Sequence, residues 1–302
     1  MQIQRSATEV VVHAPAKLNL FFEVLGKRAD GYHEVETLMC PVDLCDTLYF
    51  RNQPSGQLEL RCDEVLASGD RRPGDLDPLP QGRDNLVMRA VEALRAHVGV
   101  RCGASLRLIK RIPTAAGLGG GSSDAAAALL AANSGWRLGL SLAQLAEVAA
   151  GLGSDVPFFL AGGPAICRGR GETVVPLGGI GMLHFVVVRP PAGLSTADVY
   201  RVCRPAASRR DLQPLIAALG RGNWRQAGRL LFNRLQPAAE TLSPWIDRLR
   251  CRFAREDLLG HGMSGSGTSY FGLCRHATHA KRIARRLRAN GVGSVFAVRS
   301  CR

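Results

Sequence analysis

Pro113-Thr114-Ala115-Ala116-Gly117-Leu118-Gly119-Gly120-Gly121-Ser122-Ser123-Asp124 is the stretch that decides how this chain is read. It follows an apolar run at 105–109 that reads as a strand. It precedes an alanine-rich run from Ser122 to about Asn133 that reads as a helix. A glycine-rich turn in that place points free backbone N–H groups, together with the positive end of a helix, at one spot, and phosphate is the natural guest there. Successive glycines let the backbone approach without Cβ clashes, while Ser122 and Ser123 add hydroxyl donors. An ordinary turn needs one or two glycines, not four within five residues followed by two serines.

The common phosphate loops do not fit. The G-x-x-x-x-G-K-[ST] pattern requires a lysine before the serine, and none stands there. The dinucleotide pattern G-x-G-x-x-G would need glycine at 122, and a loop about a hundred residues into the chain is unlike a first βα turn.

Three further segments carry candidate chemistry. Gly262-Met263-Ser264-Gly265-Ser266-Gly267 precedes a strand at 268–274, where a compact turn could bring backbone against the first loop. Asp155, in Gly151-Leu152-Gly153-Ser154-Asp155-Val156-Pro157, reads either as a cap of a helix or turn or as a carboxylate placed for catalysis. Lys17, among the apolar residues of Ala14-Pro15-Ala16-Lys17-Leu18-Asn19-Leu20, must either snorkel to solvent or meet an anion in a cleft.

Outside these segments, Pro15 predicts two short strands, one on each side of Ala14–Ala16. Asp84-Asn85 opens an amphipathic helix with Leu86, Val87, Ala90, Val91 and Leu94 on one face, and Ser141 with Gln144 forms a capping box. The stretch 66–83, rich in Gly, Pro and Asp, reads as a surface loop. Beyond Gly163 strands and helices alternate anew, so the expectation is an α+β chain of two domains, residues 1–165 and 166–302, with a cleft between them.

Composition narrows the class. Of 302 residues, 46% are hydrophobic and 21% charged, the balance of an ordered globular chain. No apolar run has the form of a signal peptide or a membrane span, and a cytoplasmic location is expected. The formal charge of +14 invites a nucleic-acid partner. The densest basic run, 281–288, interleaves Ile283, Ala284 and Leu287 with its bases and reads instead as a solvated helix face, so no nucleic-acid or membrane partner is expected. Nine scattered cysteines, with no C-x-x-C pair and no histidine at ligand spacing, suggest reduced thiols and no metal on them.

Taken in order, Pro15 to Leu20, Pro113 to Asp124, Gly153 to Pro157 and Gly262 to Gly267 resemble the motifs of the GHMP kinases. The resemblance covers nearly the whole chain. It implies an N-terminal domain like ribosomal protein S5 domain 2 and a ferredoxin-like C-terminal domain, with the active site between them. Pro113, Ala115, Ala116, Gly117, Leu118, Gly119, Gly120, Gly121, Ser122 and Ser123 would wrap the phosphates of ATP. Mg²⁺ is expected with it, Ser123 being a candidate contact. Asp155 would orient or deprotonate the acceptor hydroxyl, and Lys17 would support it and the moving phosphoryl group. Arg28 to Glu34 and Ser195 to Tyr200 resemble the branch whose small-molecule acceptor carries a cytidyl diphosphate. There Tyr32, His33 and Tyr200 would hold the cytosine ring, and Asn19 and Thr196 would line the substrate channel. That branch carries an acidic residue after the asparagine at position 233, where this chain has Arg234.

A homoserine or mevalonate kinase would share the loops without needing Tyr32, His33 or Tyr200. A basic RNA-binding protein of S5-like fold is the rival of another class. Such a protein has no use for a phosphate loop paired with Asp155, and the aromatic content of 6% is not interleaved with the basic runs.

Overall fold

The computed structural model describes residues 1–65, 82–204 and 208–301. Most of the expected loop at 66–83 therefore lies outside the described residues. Its last two residues, Gly82 and Arg83, begin a single 3₁₀ turn, Gly82–Asp84.

In chain order the first part contains β1 (Gln2–Arg5), β2 (Val10–Lys27), β3 (His33–Gln53), β4 (Leu58–Glu64), α1 (Leu86–Val98), β5 (Gly103–Lys110), α2 (Gly120–Gly135), α3 (Leu142–Leu152), α4 (Val156–Leu160), β6 (Ala165–Gly169) and β7 (Thr173–Pro176). There follow β8 (His184–Arg189), α5 (Thr196–Val202), α6 (Gln213–Gly220), α7 (Trp224–Leu230), β9 (Phe232–Asn233), α8 (Gln236–Leu242), α9 (Pro244–Phe253), β10 (Gly260–Met263), β11 (Tyr270–Cys274), α10 (Ala277–Ala289) and β12 (Ser294–Arg299).

Two sheets organise these elements. The larger runs β1-β2-β3-β5-β4, with β6 and β7 continuing from β3 and β9 joining β2, so it takes in residues on both sides of position 165. The smaller is antiparallel, in the order β10-β11-β8-β12.

Pro15 does not split β2, contrary to the local reading. Ala14 pairs with Asp46 and Pro15 with Cys45, but Ala16 pairs with Val42. The partner β3 thus takes up two extra residues, Asp43 and Leu44, at the point where proline offers no N–H, and the ladder resumes. This keeps Lys17 within a strand instead of on a connector.

Alanine content explains how α2 sits. Ala125 to Ala128, Ala131 and Ala132 are wholly buried, because a helix with methyl side chains can lie close over β2 and β3. Gly135 ends it under Phe50, whose ring would be 2.2 Å from an added Cβ. Trp136 then anchors the corner by donating its indole N–H to Gly103 O at 3.0 Å. The expected capping box on α3 is present, Ser141 accepting from Gln144 N and Gln144 from Ser141 N. The basic run forms α10 as expected, with Ile283, Ala284 and Leu287 buried and Lys281, Arg282 and Arg285 outward. No helix among the described residues is long and apolar enough to cross a membrane.

Candidate active site

The glycine-rich loop begins its helix earlier than the serines suggested. Gly119 caps α2 in the left-handed region (φ 71°), so Gly120 to Ser122 form the first turn, whose N–H groups have no partner within the helix. Lys17 N–H donates to Leu118 O at 2.9 Å, tying the loop to β2.

The Gly262–Gly267 turn meets this loop, as its position before β11 suggested. Ser264 Oγ donates to Gly117 O at 3.0 Å and receives Asn19 N–H at 3.3 Å. Ser269 N–H donates to Ala116 O at 3.1 Å. A Cβ on Gly265 would lie 3.2 Å from Lys17 Nζ and 3.3 Å from Gly117 O.

Lys17 does not snorkel. Its side chain is 5% exposed, and Nζ lies 3.7 Å from Asp155 Oδ2 and 2.5 Å from Asn19 Oδ1. Burial pulls the ammonium pKa down, and the facing Asp155 opposes that pull. Asp155 stands at the N-terminus of α4, but its carboxylate makes no cap hydrogen bond, so the capping alternative falls and the side chain is left to the cleft.

The cleft itself has a volume of about 970 Å³. Among the expected site residues, Lys17, Tyr32, His33, Ala115, Gly117, Gly119, Asp155, Thr196 and Tyr200 line it. Asn19 does not: it is 1% exposed, with its amide spent on Lys17 and on Thr37 Oγ1 at 2.8 Å, so it orients the lysine from behind. Pro113, Gly120, Gly121 and Ser122 lie beyond the cleft lining, Ala116 and Leu118 face the core, and Ser123 is fully buried.

At the far end the rings of His33 and Tyr200 stack with centroids 4.8 Å apart, and the Arg170 guanidinium lies 5.0 Å from the centre of the Tyr32 ring. Burial and the nearby Lys27 hold the His33 pKa below its ordinary value, so the ring is neutral at pH 7 and keeps an accepting nitrogen. Lys27, Arg170 and Arg201 also line the cleft. They stand beside the rings, Lys27 paired in register with His33, Arg170 over Tyr32 and next to Glu172, and Arg201 joined to Asp198, a placement that no local motif in the sequence announced. Thr196 Oγ1 shares a hydrogen bond of 2.8 Å with Ser266 Oγ, joining α5 to the glycine–serine turn.

Beneath the loop, Lys110 is paired with two buried carboxylates, Asp46 and Asp124, the latter at 2.7 Å. Asp46 also accepts the N–H groups of Arg111 and Ile112, which lead into the loop, so the cluster fixes both its ends. Burial pushes the Asp124 carboxyl up, to about 8, against the attraction of Lys110 and with the repulsion of Asp46. A carboxyl raised on folding binds its proton more tightly in the native state, so its contribution is complete in acid and is lost as pH climbs toward 8. Asp124→Asn should remove a slope of up to about 1.4 kcal/mol per pH unit between pH 5 and 8. Denaturant midpoints measured across that window check this, and parallel curves for the two proteins would refute it.

Arg234 makes a salt link of its own where the acidic residue was expected. Its Nε and Nη2 grip the two oxygens of Glu23, 1% exposed, at 2.7 and 2.8 Å. The Glu23 carboxylate is buried while the Arg234 guanidinium keeps partial contact with solvent, so removing Arg234 would strand a buried charge whereas removing Glu23 would leave the arginine able to hydrate.

Fold and cleft together define a phosphotransferase of the GHMP class. Residues 85–163 match the GHMP kinases N terminal domain and residues 215–293 the GHMP kinases C terminal domain; the chain belongs to this family. It is 44% identical to the 4-diphosphocytidyl-2-C-methyl-D-erythritol kinase of Pelotomaculum thermopropionicum over 91% of this chain and 92% of that one. The enzyme of the same name from Shouchella clausii is 38% identical, over 96% and 94% of the two chains. A crystal structure of 4-(cytidine 5'-diphospho)-2C-methyl-D-erythritol kinase superposes with a TM-score of 0.79 at 36% identity, covering 97% of this chain and 99% of the other. Within the GHMP kinases, the chain therefore sits with this branch.

Proposed function

We propose that the chain transfers the terminal phosphoryl group of ATP to the 2-hydroxyl of 4-diphosphocytidyl-2-C-methyl-D-erythritol, a step of non-mevalonate isoprenoid precursor synthesis. The observation that carries the chemistry is the Lys17–Asp155 pair at 3.7 Å, facing the phosphate loop across one cleft whose far end holds the Tyr32, His33 and Tyr200 rings.

In this reading the loop from Pro113 to Ser123 receives the nucleotide phosphates on backbone amides, and residues 1–165 supply the nucleotide half of the site. Residues 166–302 bring Thr196 and Tyr200 to the acceptor. Asp155 aligns the acceptor hydroxyl and takes its proton late, because an alcohol is far too weak an acid to ionise before attack. Lys17 stands where negative charge on the moving group would be met by a fixed cation. The cytosine ring lies against the aromatic side chains, neutral His33 reading its edge, and Lys27, Arg170 and Arg201 face the substrate diphosphate.

A divalent ion, Mg²⁺, accompanies the nucleotide in this proposal. Ser123 Oγ, buried without a hydrogen-bond partner, is the hydroxyl free to meet it or a phosphate oxygen. Once bound, the ion would neutralise phosphate charge. A cytoplasmic enzyme with small-molecule partners fits this reading.

ATP consumption with the cytidyl acceptor, homoserine and mevalonate supplied separately tests the substrate. Turnover confined to the cytidyl acceptor is expected. Turnover only on another alcohol would keep the phosphate loop and Asp155 and discard the cytosine pocket.

A further inference from the structure

Asn233 belongs to none of the motifs that announced chemistry, yet it holds one of them in place. It lies on β9 and is 6% exposed. Its Nδ2 donates to two carbonyls of the glycine–serine turn, Met263 O and Gly265 O, at 2.8 Å each. Its Oδ1 accepts Leu235 N–H at 2.9 Å. Gln236, from the same segment, accepts Met263 N–H on Oε1 at 3.1 Å.

The segment is itself anchored to the sheet that carries Lys17. Phe232 and Asn233 pair in parallel with Phe21 and Phe22, Arg234 N–H donates to Phe22 O at 2.8 Å, and the Arg234 guanidinium clamps Glu23. Three successive residues, 232 to 234, thus stand at fixed depth relative to β2. The turn they hold is the one whose Gly265 lies against the Lys17 ammonium and whose Ser264 reaches Gly117.

We infer that Asn233, backed by Gln236, is a positioning residue for phosphoryl transfer, setting how closely the Gly265 turn closes over Lys17 and the phosphate loop. It touches no substrate and acts through Gly265 and Lys17. A carboxamide suits the task because it offers two donors to two carbonyls while still accepting a backbone N–H; aspartate, of the same shape, has no donor to give. The inference rests on the kinase reading of the cleft.

Steady-state kinetics of Asn233→Ala beside the unsubstituted chain, with ATP and acceptor varied in turn, is the test. The expected result is a kcat lowered roughly 30- to 100-fold, the scale of a misplacement near 1 Å, with KM for the acceptor changed by less than about threefold. The basic limb of the kcat–pH profile should also move to higher pH. Loosening the turn admits water to Lys17 and relieves the burial that holds its pKa down, while Asp155 and Cys167, the titratable groups facing it, stay in place. A kcat per folded molecule within about twofold of the unsubstituted chain, or a lowered kcat with an unmoved basic limb, would overturn the inference.

If Asn233→Ala does not fold, Gln236→Met removes the acceptor of Met263 N–H, together with the Nε2 hydrogen bonds to Glu240 Oε1 at 2.9 Å and to the Tyr270 hydroxyl at 3.4 Å. A fall in kcat of about three- to tenfold is then expected, and an unchanged kcat overturns the inference. Should the unsubstituted chain ignore the cytidyl acceptor, the proposed substrate fails alone; the effect of Asn233 is then read on whichever alcohol the chain phosphorylates.

Discussion

Asp155→Asn is expected to lower kcat by roughly 10²- to 10⁴-fold, the range for loss of a positioned proton acceptor, while the affinity for ATP changes little. The amide keeps the size of the side chain but cannot take a proton from the acceptor hydroxyl. Because Asp155 makes no cap hydrogen bond, the α4 turn loses nothing by the exchange. Lys17 does lose its charged neighbour at 3.7 Å, so part of the fall would come through a lysine less firmly held in its charged form. Turnover measured by coupled ATP consumption, beside nucleotide binding by calorimetry, separates the two effects. A kcat within tenfold of the unsubstituted value would remove Asp155 from the proton transfer.

Gly117→Ala should be nearly as damaging, for a steric reason. Gly117 has φ +70°, a conformation that costs an alanine roughly 1–2 kcal/mol. An added Cβ would also lie 2.4 Å from Ser264 O and 2.8 Å from Gly267 O. Both obstacles are backbone atoms, so no rotamer change relieves them and the two loops must part. A separation near 1 Å between the phosphate loop and the turn that covers Lys17 should cost about 10²-fold in kcat/KM for ATP. Gly220→Ala, where nothing lies within 4 Å and φ is ordinary, should leave the kinetics unchanged and serves as the control. Equal kinetics for all three proteins would mean that the loops do not act as one surface.

What the sequence disclosed of this site follows from the distance over which each feature is encoded. The Ser141 capping box and the α10 stripe are spelled by residues a few positions apart and stand where their patterns placed them; the glycine-rich loop is likewise a turn before a helix, but that helix opens at Gly120 and not at Ser122. The Gly262–Gly267 turn was legible as a turn, and its approach to the first loop was suggested by its place before a strand. The roles of its individual atoms were not, since Asn19 and Ser264 are 245 residues apart. Asn19 itself was expected in the substrate channel, and only its neighbours reveal an amide spent on Lys17 and Thr37.

Pro15 misled because a proline was weighed without its partner strand, which takes up the irregularity at Asp43 and Leu44. Arg234 stood out only as a departure from the branch, because its partner Glu23 lies 211 residues earlier. Arg170 gave no sign at all: nothing in a Gly169-Arg170-Gly171 turn tells that the guanidinium will sit over Tyr32.

The interlocking of β9 and the glycine–serine turn with the first sheet bears on how the enzyme is born. As the chain leaves the ribosome, the phosphate loop emerges when little more than a third of the protein has been made. The atoms that complete it, on Ser264, Gly265 and Ser269, follow about 150 residues later. At ordinary rates of synthesis, about 5–20 residues per second, that is an interval on the order of ten seconds or more. Throughout it Lys17 lacks the turn that encloses it. The order of synthesis therefore makes the joining of residues 264–269 to the glycine-rich loop a late step in assembling the cleft.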